Sequence, residues 1–128
     1  MAFNQDMRIE RLALYYLPVQ TRVPLKFGPE TTTHATCARV RVEVSAHSGL
    51  RAEGWGETPL SVAWVWPGEL SFECRLLAMQ EFCGMIAASL KDFSLWGHPM
   101  EIIHQFLQDR LPGLYSDFNA SRMRKSLP

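Results

Sequence analysis

The segment from Ala38 to Pro59, ARVRVEVSAHSGLRAEGWGETP, decides the fold of the 128-residue chain. Its first half alternates apolar and polar residues, which is typical of a strand buried on one face. Gly49 then suits a tight reversal, because glycine adopts positive φ without steric cost. The second half has small or apolar residues at every other position and ends in Gly54 to Glu57. The segment therefore predicts a β-hairpin.

Two glycines flank Trp55 near the end of this hairpin. Glycine lowers strand propensity, by about 1 kcal/mol relative to a better strand former. We therefore expect either that something approaches the backbone closely at Gly54 and Gly56 or that the chain needs the conformational freedom of glycine there.

Composition favours a single globular domain with neither nucleic acid nor membrane as a partner. Thirteen basic and thirteen acidic residues cancel, so no net field attracts a polyanion or an anionic lipid surface. The start of the chain, 1–6, lacks the basic and apolar stretches of a secretory signal, and we expect these residues to be disordered. The predicted location is the cytoplasm.

Cys37, Cys74 and Cys83 show no metal-ligand spacing and are predicted to be buried, reduced thiols.

The residues before this hairpin predict one further strand and a long loop. Alternation over Met7–Leu17 indicates the strand, with Ile9 out of phase because of a bulge near Arg11 or a late strand start. The stretch 19–35 contains two prolines, a glycine and three consecutive threonines, and is predicted to be a functional or mobile loop of about 17 residues.

The residues after the hairpin predict a second loop and then helices. Trp64 and Trp66 lie in an irregular stretch, 58–68, where an extended chain would point both rings the same way. Apolar residues at spacings of three and four from Phe72 predict a helix of about six turns. Pro99 suits the first position of a second helix, and His98 could cap it. This helix is expected to end at residues 112–113, Pro-Gly.

The predicted fold class is α+β, a three-stranded antiparallel meander sheet followed by a helical hairpin or bundle. The predicted divisions are the N-terminus 1–6, a domain over 7–115, and a polar tail or linker over 116–128.

No catalytic motif emerges from the residues themselves. There is no Gly-x-Ser-x-Gly and no phosphate-binding loop. Glu43, Glu53 and Glu57 are predicted to pair with arginines across the strands, Arg39, Arg41 and Arg51, on a solvated sheet face.

Several short motifs, taken in order, resemble a known domain. They are the first strand over 7–12, the run Leu25-Lys26-Phe27-Gly28, the alternating strand, the segment Gly54 to Glu57, and Leu95-Trp96-Gly97-His98-Pro99 before a helix. This order resembles the amino-terminal capping domain of the enolase superfamily, in the mandelate racemase and muconate lactonizing enzyme branch.

The resemblance implies a function that is completed outside this chain. In that family a following (β/α) barrel binds Mg²⁺ and removes a proton next to a carboxylate, which leads to racemization, elimination or cycloisomerization. The chain has no Lys-x-Lys and is too short to contain a barrel of roughly 250 residues. The expected partners are therefore such a barrel and a small carboxylate substrate, with no cofactor held here and no turnover by this chain alone.

The resemblance also assigns substrate-capping roles within the two predicted loops. The residues it selects are Lys26, Phe27, Thr58, Pro59 and Trp64. The aromatic character of these loops favours a substrate with an apolar portion over a sugar acid.

Two alternatives stay open. The chain could be an independent protein-interaction module or a homo-oligomer that associates through its apolar surface. It could also be a small anion-binding domain that uses Arg22 and Lys26.

Overall fold

The fold is an antiparallel three-stranded sheet followed by helices, which confirms the predicted α+β class. The structure is a computed structural model that describes residues 5–125. The strands are β1 (Met7–Phe27), β2 (Glu30–Ala46) and β3 (Arg51–Leu60), in the order β1-β2-β3. The helices are α1 (Val62–Val65), α2 (Phe72–Lys91), α3 (Pro99–Asp109) and α4 (Leu111–Arg124). None of the helices within 5–125 is both long enough and apolar enough to cross a membrane.

The predicted hairpin forms, with Ser45 paired to Arg51 at one end and Thr36 to Leu60 at the other. Gly49 closes the turn at φ 86°, as its place in the sequence predicts. Gly54 and Gly56 behave differently from the prediction. Neither is recorded at positive φ, and no atom lies within 4 Å of where a Cβ would stand at either position. Nothing in the described chain therefore requires these two glycines.

The prediction of a loop over 19–35 is wrong, because β1 and β2 continue through it as a long two-stranded hairpin arm. Threonine favours strands, and prolines are tolerated in β1 because it is an edge strand. The pairing is irregular just before and at Pro24: Gln20 pairs with His34 and Leu25 with Thr32, so residues 21–24 lie opposite Thr33 alone. Gly28, at φ 59°, turns the chain at the tip of the arm.

The out-of-phase Ile9 is explained by a bulge. Ile9 pairs with Val44 and Arg11 with Glu43, which leaves Glu10 as an additional residue in β1. The late strand start is thereby excluded, since β1 already begins at Met7. Glu10 accepts a hydrogen bond from the hydroxyl of Ser45, and its pKa is lowered by that bond and by Arg8.

The helix predicted from Phe72 is confirmed, and so is the start of the next helix at Pro99. Ser71 caps α2 by accepting from the backbone N–H of Cys74 at 3.2 Å. His98 caps α3 through Nδ1, which accepts from the N–H of Met100, while Glu101 accepts from the His98 N–H. This reciprocal arrangement is a capping box formed by a histidine.

The second helix ends close to where the sequence predicts, because α3 stops at Asp109. The predicted tail does not begin there, since Pro112 and Gly113 lie in the first turn of a further helix, α4, where proline is well tolerated. The supposed tail is helical as far as Arg124, and α4 crosses the predicted domain boundary after residue 115. Arg122 is buried and bonds Glu81 of α2 at 2.8 Å. Residues 126–128 of that tail, and 1–4 of the predicted disordered start, lie outside the described residues.

The cysteine prediction is correct for Cys37, which is buried, and wrong for Cys74, which is exposed on α2. Cys83 is partly buried, and burial raises the pKa of its thiol. All three are free thiols.

The core lies between the start of the sheet and the helices. Its buried centre consists of Phe93, Ile102 and Phe106, and the rings of Phe93 and Phe106 meet edge to face at 5.5 Å. Met7 exchanges two backbone hydrogen bonds with Gly97, which fixes the beginning of β1 against the loop before α3. Tyr16 donates to the carbonyl of Gln80 at 2.7 Å and so fixes α2 over the sheet.

Two adjacent isoleucines of α3 give a matched test of this core. Ile102 is 2% exposed and Ile103 is 43% exposed. We expect Ile102→Ala to lower the free energy of unfolding by about 3 kcal/mol, because the substitution leaves a cavity among Phe93 and its neighbours. Ile103→Ala should cost less than about 1 kcal/mol. Urea denaturation measures both, and equal losses would contradict this packing.

Candidate functional site

The tip of the hairpin arm and the segment after β3 meet, although they are far apart in sequence. Phe27 ends β1, and Trp64 lies in the short helix α1. Their rings are 6.0 Å apart at an interplanar angle of 60°, an edge-to-face contact. The two regions assigned to substrate capping are therefore neighbours in the fold.

A cavity of about 160 Å³ lies beside this aromatic contact, and we call it the arm cavity. The arm, the end of β3, α1 and the first residue of α2 all contribute to its walls. The apolar lining consists of Leu25, Phe27, Ala35, Pro59, Leu60, Val62, Ala63, Trp64 and Phe72, and the polar lining of Thr21, Thr32, His34 and Ser61. A mainly apolar wall with a few polar groups is the usual composition of a small-molecule site.

Three of the five assigned capping residues line the arm cavity and two do not. Phe27, Pro59 and Trp64 are in its wall. Lys26 is exposed beside the tip, and Thr58 is exposed in β3 opposite Ala38. Thr58 therefore belongs to the regular ladder and not to a loop, because β3 extends to Leu60.

Sequence reasoning placed the two tryptophans incorrectly and missed Phe72. Residues 62–65 form a helical turn, so Trp64 and Trp66 do not point the same way. Trp64 reaches the arm cavity, whereas Trp66 lines a separate groove between α2 and α4. Phe72 was assigned only to the helix stripe, yet its ring meets His34 at 5.9 Å in the cavity wall. No local pattern reveals this pairing, which depends on the arm folding over α2.

A buried arginine holds the arm against the helices. Arg75 of α2 is 1% exposed, bonds the carboxylate of Glu30 at the arm tip, and donates to the carbonyl of Trp66 at 2.6 Å. The guanidinium thereby joins β2, the segment after α1 and α2. The bond to Arg75 lowers the pKa of Glu30.

The outer face of the sheet is charged and paired, as predicted. Arg39 bonds Glu57 at 2.5 Å, and Arg41 bonds Glu53 at 2.5 Å. Arg51, the third predicted partner, is in no ion pair among the described residues. The ring of Trp55 stacks against Tyr15 at 6.0 Å, and its N–H donates to Glu53. The paired charges make this face a solvated surface and not an acid–base site.

No group of three or more metal-ligating side chains lies among residues 5–125. The arm cavity contains one imidazole, His34, and hydroxyl groups, so the arrangement suits binding more than bond making. Comparison with known proteins adds no relative: no family model, curated protein or solved structure matches the chain.

The Arg75–Glu30 contact predicts a loss of stability in acid. Because the pKa of Glu30 is lower in the folded chain than its ordinary value of 4.5, the stabilisation is complete above that value. It is lost as the pH falls through the folded pKa. We expect the urea midpoint to fall between pH 7 and pH 3, and to fall less in Glu30→Gln.

Glu73→Gln is the matched control, because Glu73 is an exposed carboxylate near the start of α2 that lies in no ion pair of the described residues, so this variant should keep the acid dependence of the unsubstituted chain. A Glu30→Gln variant with the same acid dependence as the unsubstituted chain would contradict this role for Glu30.

Proposed function

We propose that this chain is a substrate-capping domain that works with a catalytic (β/α) barrel of the kind found in the enolase superfamily. The observation that carries the proposal is the meeting of Phe27 and Trp64. The sequence resemblance assigns both residues to substrate capping, and they come from regions of the chain that are far apart in sequence. Their rings lie 6.0 Å apart, beside a cavity.

The order of elements supports the same proposal. A meander sheet of three strands precedes the helices, and Gly97-His98-Pro99 begins α3. The proposed parent reaction is Mg²⁺-dependent removal of a proton next to a carboxylate, followed by racemization, elimination or cycloisomerization. The metal and the acid–base groups would belong to the barrel. The role of this chain would be to exclude water and to contact the distal part of the substrate.

The arm cavity favours a substrate whose distal part is apolar. A cavity of about 150 Å³ lined by apolar side chains accepts benzene, and the arm cavity has about 160 Å³. A phenyl group or a branched alkyl group of similar size would fit. His34 and Thr32 are the polar groups in the wall that could bond a polar atom of such a substrate, and Nδ1 of His34 already contacts the hydroxyl of Thr33 at 3.1 Å.

A second candidate is an independent protein-interaction or self-associating module. It is favoured by the exposure of β3 along Arg51–Pro59, since no helix covers that side of the sheet extensively. Large apolar side chains such as Trp64, Met100 and Met123 are also more than two-thirds exposed.

Binding to the arm cavity can be tested on this chain alone. We expect millimolar benzene to shift the methyl NMR signals of Leu25 and Val62, because both side chains line the cavity. Ala63→Leu should abolish the shifts by filling the space that benzene would occupy. Leu77, which is 63% exposed on α2, is the internal control and should not respond. Absence of any shift at Leu25 and Val62 would contradict a cavity open to apolar groups.

The capping role requires a catalytic partner and is tested with the natural gene product. We expect its intact mass to exceed the 14.6 kDa of this chain by the mass of a barrel of roughly 250 residues. We also expect its activity on carboxylates to require Mg²⁺. Trp64→Ala should raise KM about tenfold for a substrate with an apolar end, since about 1.4 kcal/mol of contact is lost. Trp55→Ala, on the outer sheet face, should leave KM unchanged. If the protein made in the source cells has a mass of 14.6 kDa, that result would contradict the capping role and favour the second candidate.

A further inference from the structure

The two edges of the sheet differ in how well they are protected against pairing with another strand. Edge strands are usually guarded by bulges, prolines or charged side chains, because their unpaired N–H and C=O groups are a template for a further strand. β1 carries a bulge at Glu10, a second irregularity at 21–24, and Pro18 and Pro24. β3 pairs with β2 without any register shift from Arg51 to Leu60. Its free edge is therefore regular and is exposed from Arg51 to Pro59. The charged side chains on this edge, Arg51, Glu53 and Glu57, are of both signs, so they repel a foreign strand less than a row of like charges would.

The direction of the free backbone groups of β3 follows from the hairpin turn. The N–H of Ala46 donates to the carbonyl of Leu50 at 2.8 Å, so the peptide groups of Leu50 point toward β2. In an antiparallel ladder this direction alternates, and Ala52, Gly54 and Gly56 point the same way. The outward groups belong to the intervening residues, Arg51, Glu53, Trp55, Glu57 and Pro59. Pro59, which has no N–H, falls in the outward set, where a strand tolerates proline.

We propose that β3 pairs antiparallel with β3 of a second copy of this chain, about a two-fold axis at Gly54. In this register Arg51 lies opposite Glu57 of the second copy, and Glu53 lies opposite Trp55 of the second copy. Every residue in these pairs has its peptide groups directed outward, so the pairing supplies roughly eight backbone hydrogen bonds. The two three-stranded sheets become one sheet of six strands.

Charge selects this register over its neighbours. Moving the axis to Glu53 places Glu53 opposite its own copy, and moving it to Trp55 places Glu53 opposite Glu57. Like charges directly opposite each other destabilise a pair of strands, whereas opposite charges stabilise it. Arg51 is exposed and lies within 4 Å of no carboxylate in the described part of the chain, although its charge acts on Glu10 from a longer distance. Its guanidinium can therefore approach Glu57 of the second copy, which would then bond both Arg51 and its own Arg39.

The pairing also brings together the two glycines that no contact within the single chain requires. On the side of the sheet that faces α2, the axis brings Gly54 against Gly54 and sets Gly56 against Ala52 of the second copy. A Cβ at either glycine would meet no atom of its own chain within 4 Å. Small residues at these positions leave the side of the joined sheet that faces α2 free of bulky side chains along the axis.

Cysteine cross-linking tests the axis directly, with Cys74→Ser as the background because Cys74 is exposed. At the axis the two Gly54 Cα atoms form a non-hydrogen-bonded pair about 4.5 Å apart, within the range of a disulfide. The two Gly56 Cα atoms would be separated by four residues of strand, about 13 Å. Under mild oxidation we expect Gly54→Cys to form a disulfide-linked dimer and Gly56→Cys to stay monomeric on a non-reducing gel.

A second measurement uses the unsubstituted chain. As the protein concentration rises, the amides of Arg51, Glu53, Trp55 and Glu57 should become protected from hydrogen exchange together with the appearance of a dimer in sedimentation. Arg51→Glu should abolish the dimer, and Arg11→Glu, on the other sheet edge, should leave it intact. A chain that stays monomeric at millimolar concentration, or cross-linking no greater at residue 54 than at residue 56, would overturn the proposal. Because none of these readouts involves catalysis, their failure is distinct from failure of the capping role.

Discussion

The guanidinium of Arg75 is the interaction on which the arrangement of the arm, α1 and α2 depends. It is almost fully buried, yet it serves two acceptors from different elements, the Glu30 carboxylate and the Trp66 carbonyl. One donor, Nε, has no partner among the described residues. A buried cation with an unused donor carries a desolvation cost, and such groups are weak evidence for stability but can fix one arrangement among several. Arg75 is in that sense a position-setting residue for the arm cavity.

The sheet is covered unevenly, and this asymmetry underlies both functional readings. Helix α2 packs over β1, where Tyr16 reaches Gln80, whereas β3 is exposed on the same side. Helix α3 likewise buries Ile102 and Phe106 but leaves Met100, Ile103 and Leu107 exposed. A domain that covers a larger domain and a chain that self-associates would both expose apolar surface of this kind when isolated. The two readings differ in which surface is covered, because the capping role uses the arm end and the self-pairing uses the β3 edge.

The sequence predicts the helices and strands that bury one face, and it does not predict the strands that bury neither face. The alternation in β2 and the stripe from Phe72 reflect burial on one side, and both elements form as predicted. The arm has no such period, since Val23, Leu25 and Lys26 are all exposed. Alternation of apolar and polar residues therefore could not predict its strands. The helix that contains Pro112 was not predicted, for a different reason. Proline both ends helices and begins them, so the residues mark the end of α3 but not the start of α4, which the contact of Arg122 with Glu81 holds against α2. Phe27, Pro59 and Trp64 were found through resemblance, whereas Phe72 needed the fold.

The hairpin arm has a mechanical consequence. β3 ends opposite Thr36, so residues 30–35 of β2 extend past the sheet with only β1 beside them. This overhang is about 20 Å long at the usual rise per residue. It acts as a lever whose base is the last three-stranded row and whose far end carries Phe27. A tilt of about 5° at the base would move the far end by about 2 Å, which is enough to open or close a gap the width of a methyl group. The Arg75–Glu30 bond restrains this far end against α2, so the dimensions of the arm cavity depend on that bond together with the stiffness of the ladder near Gln20.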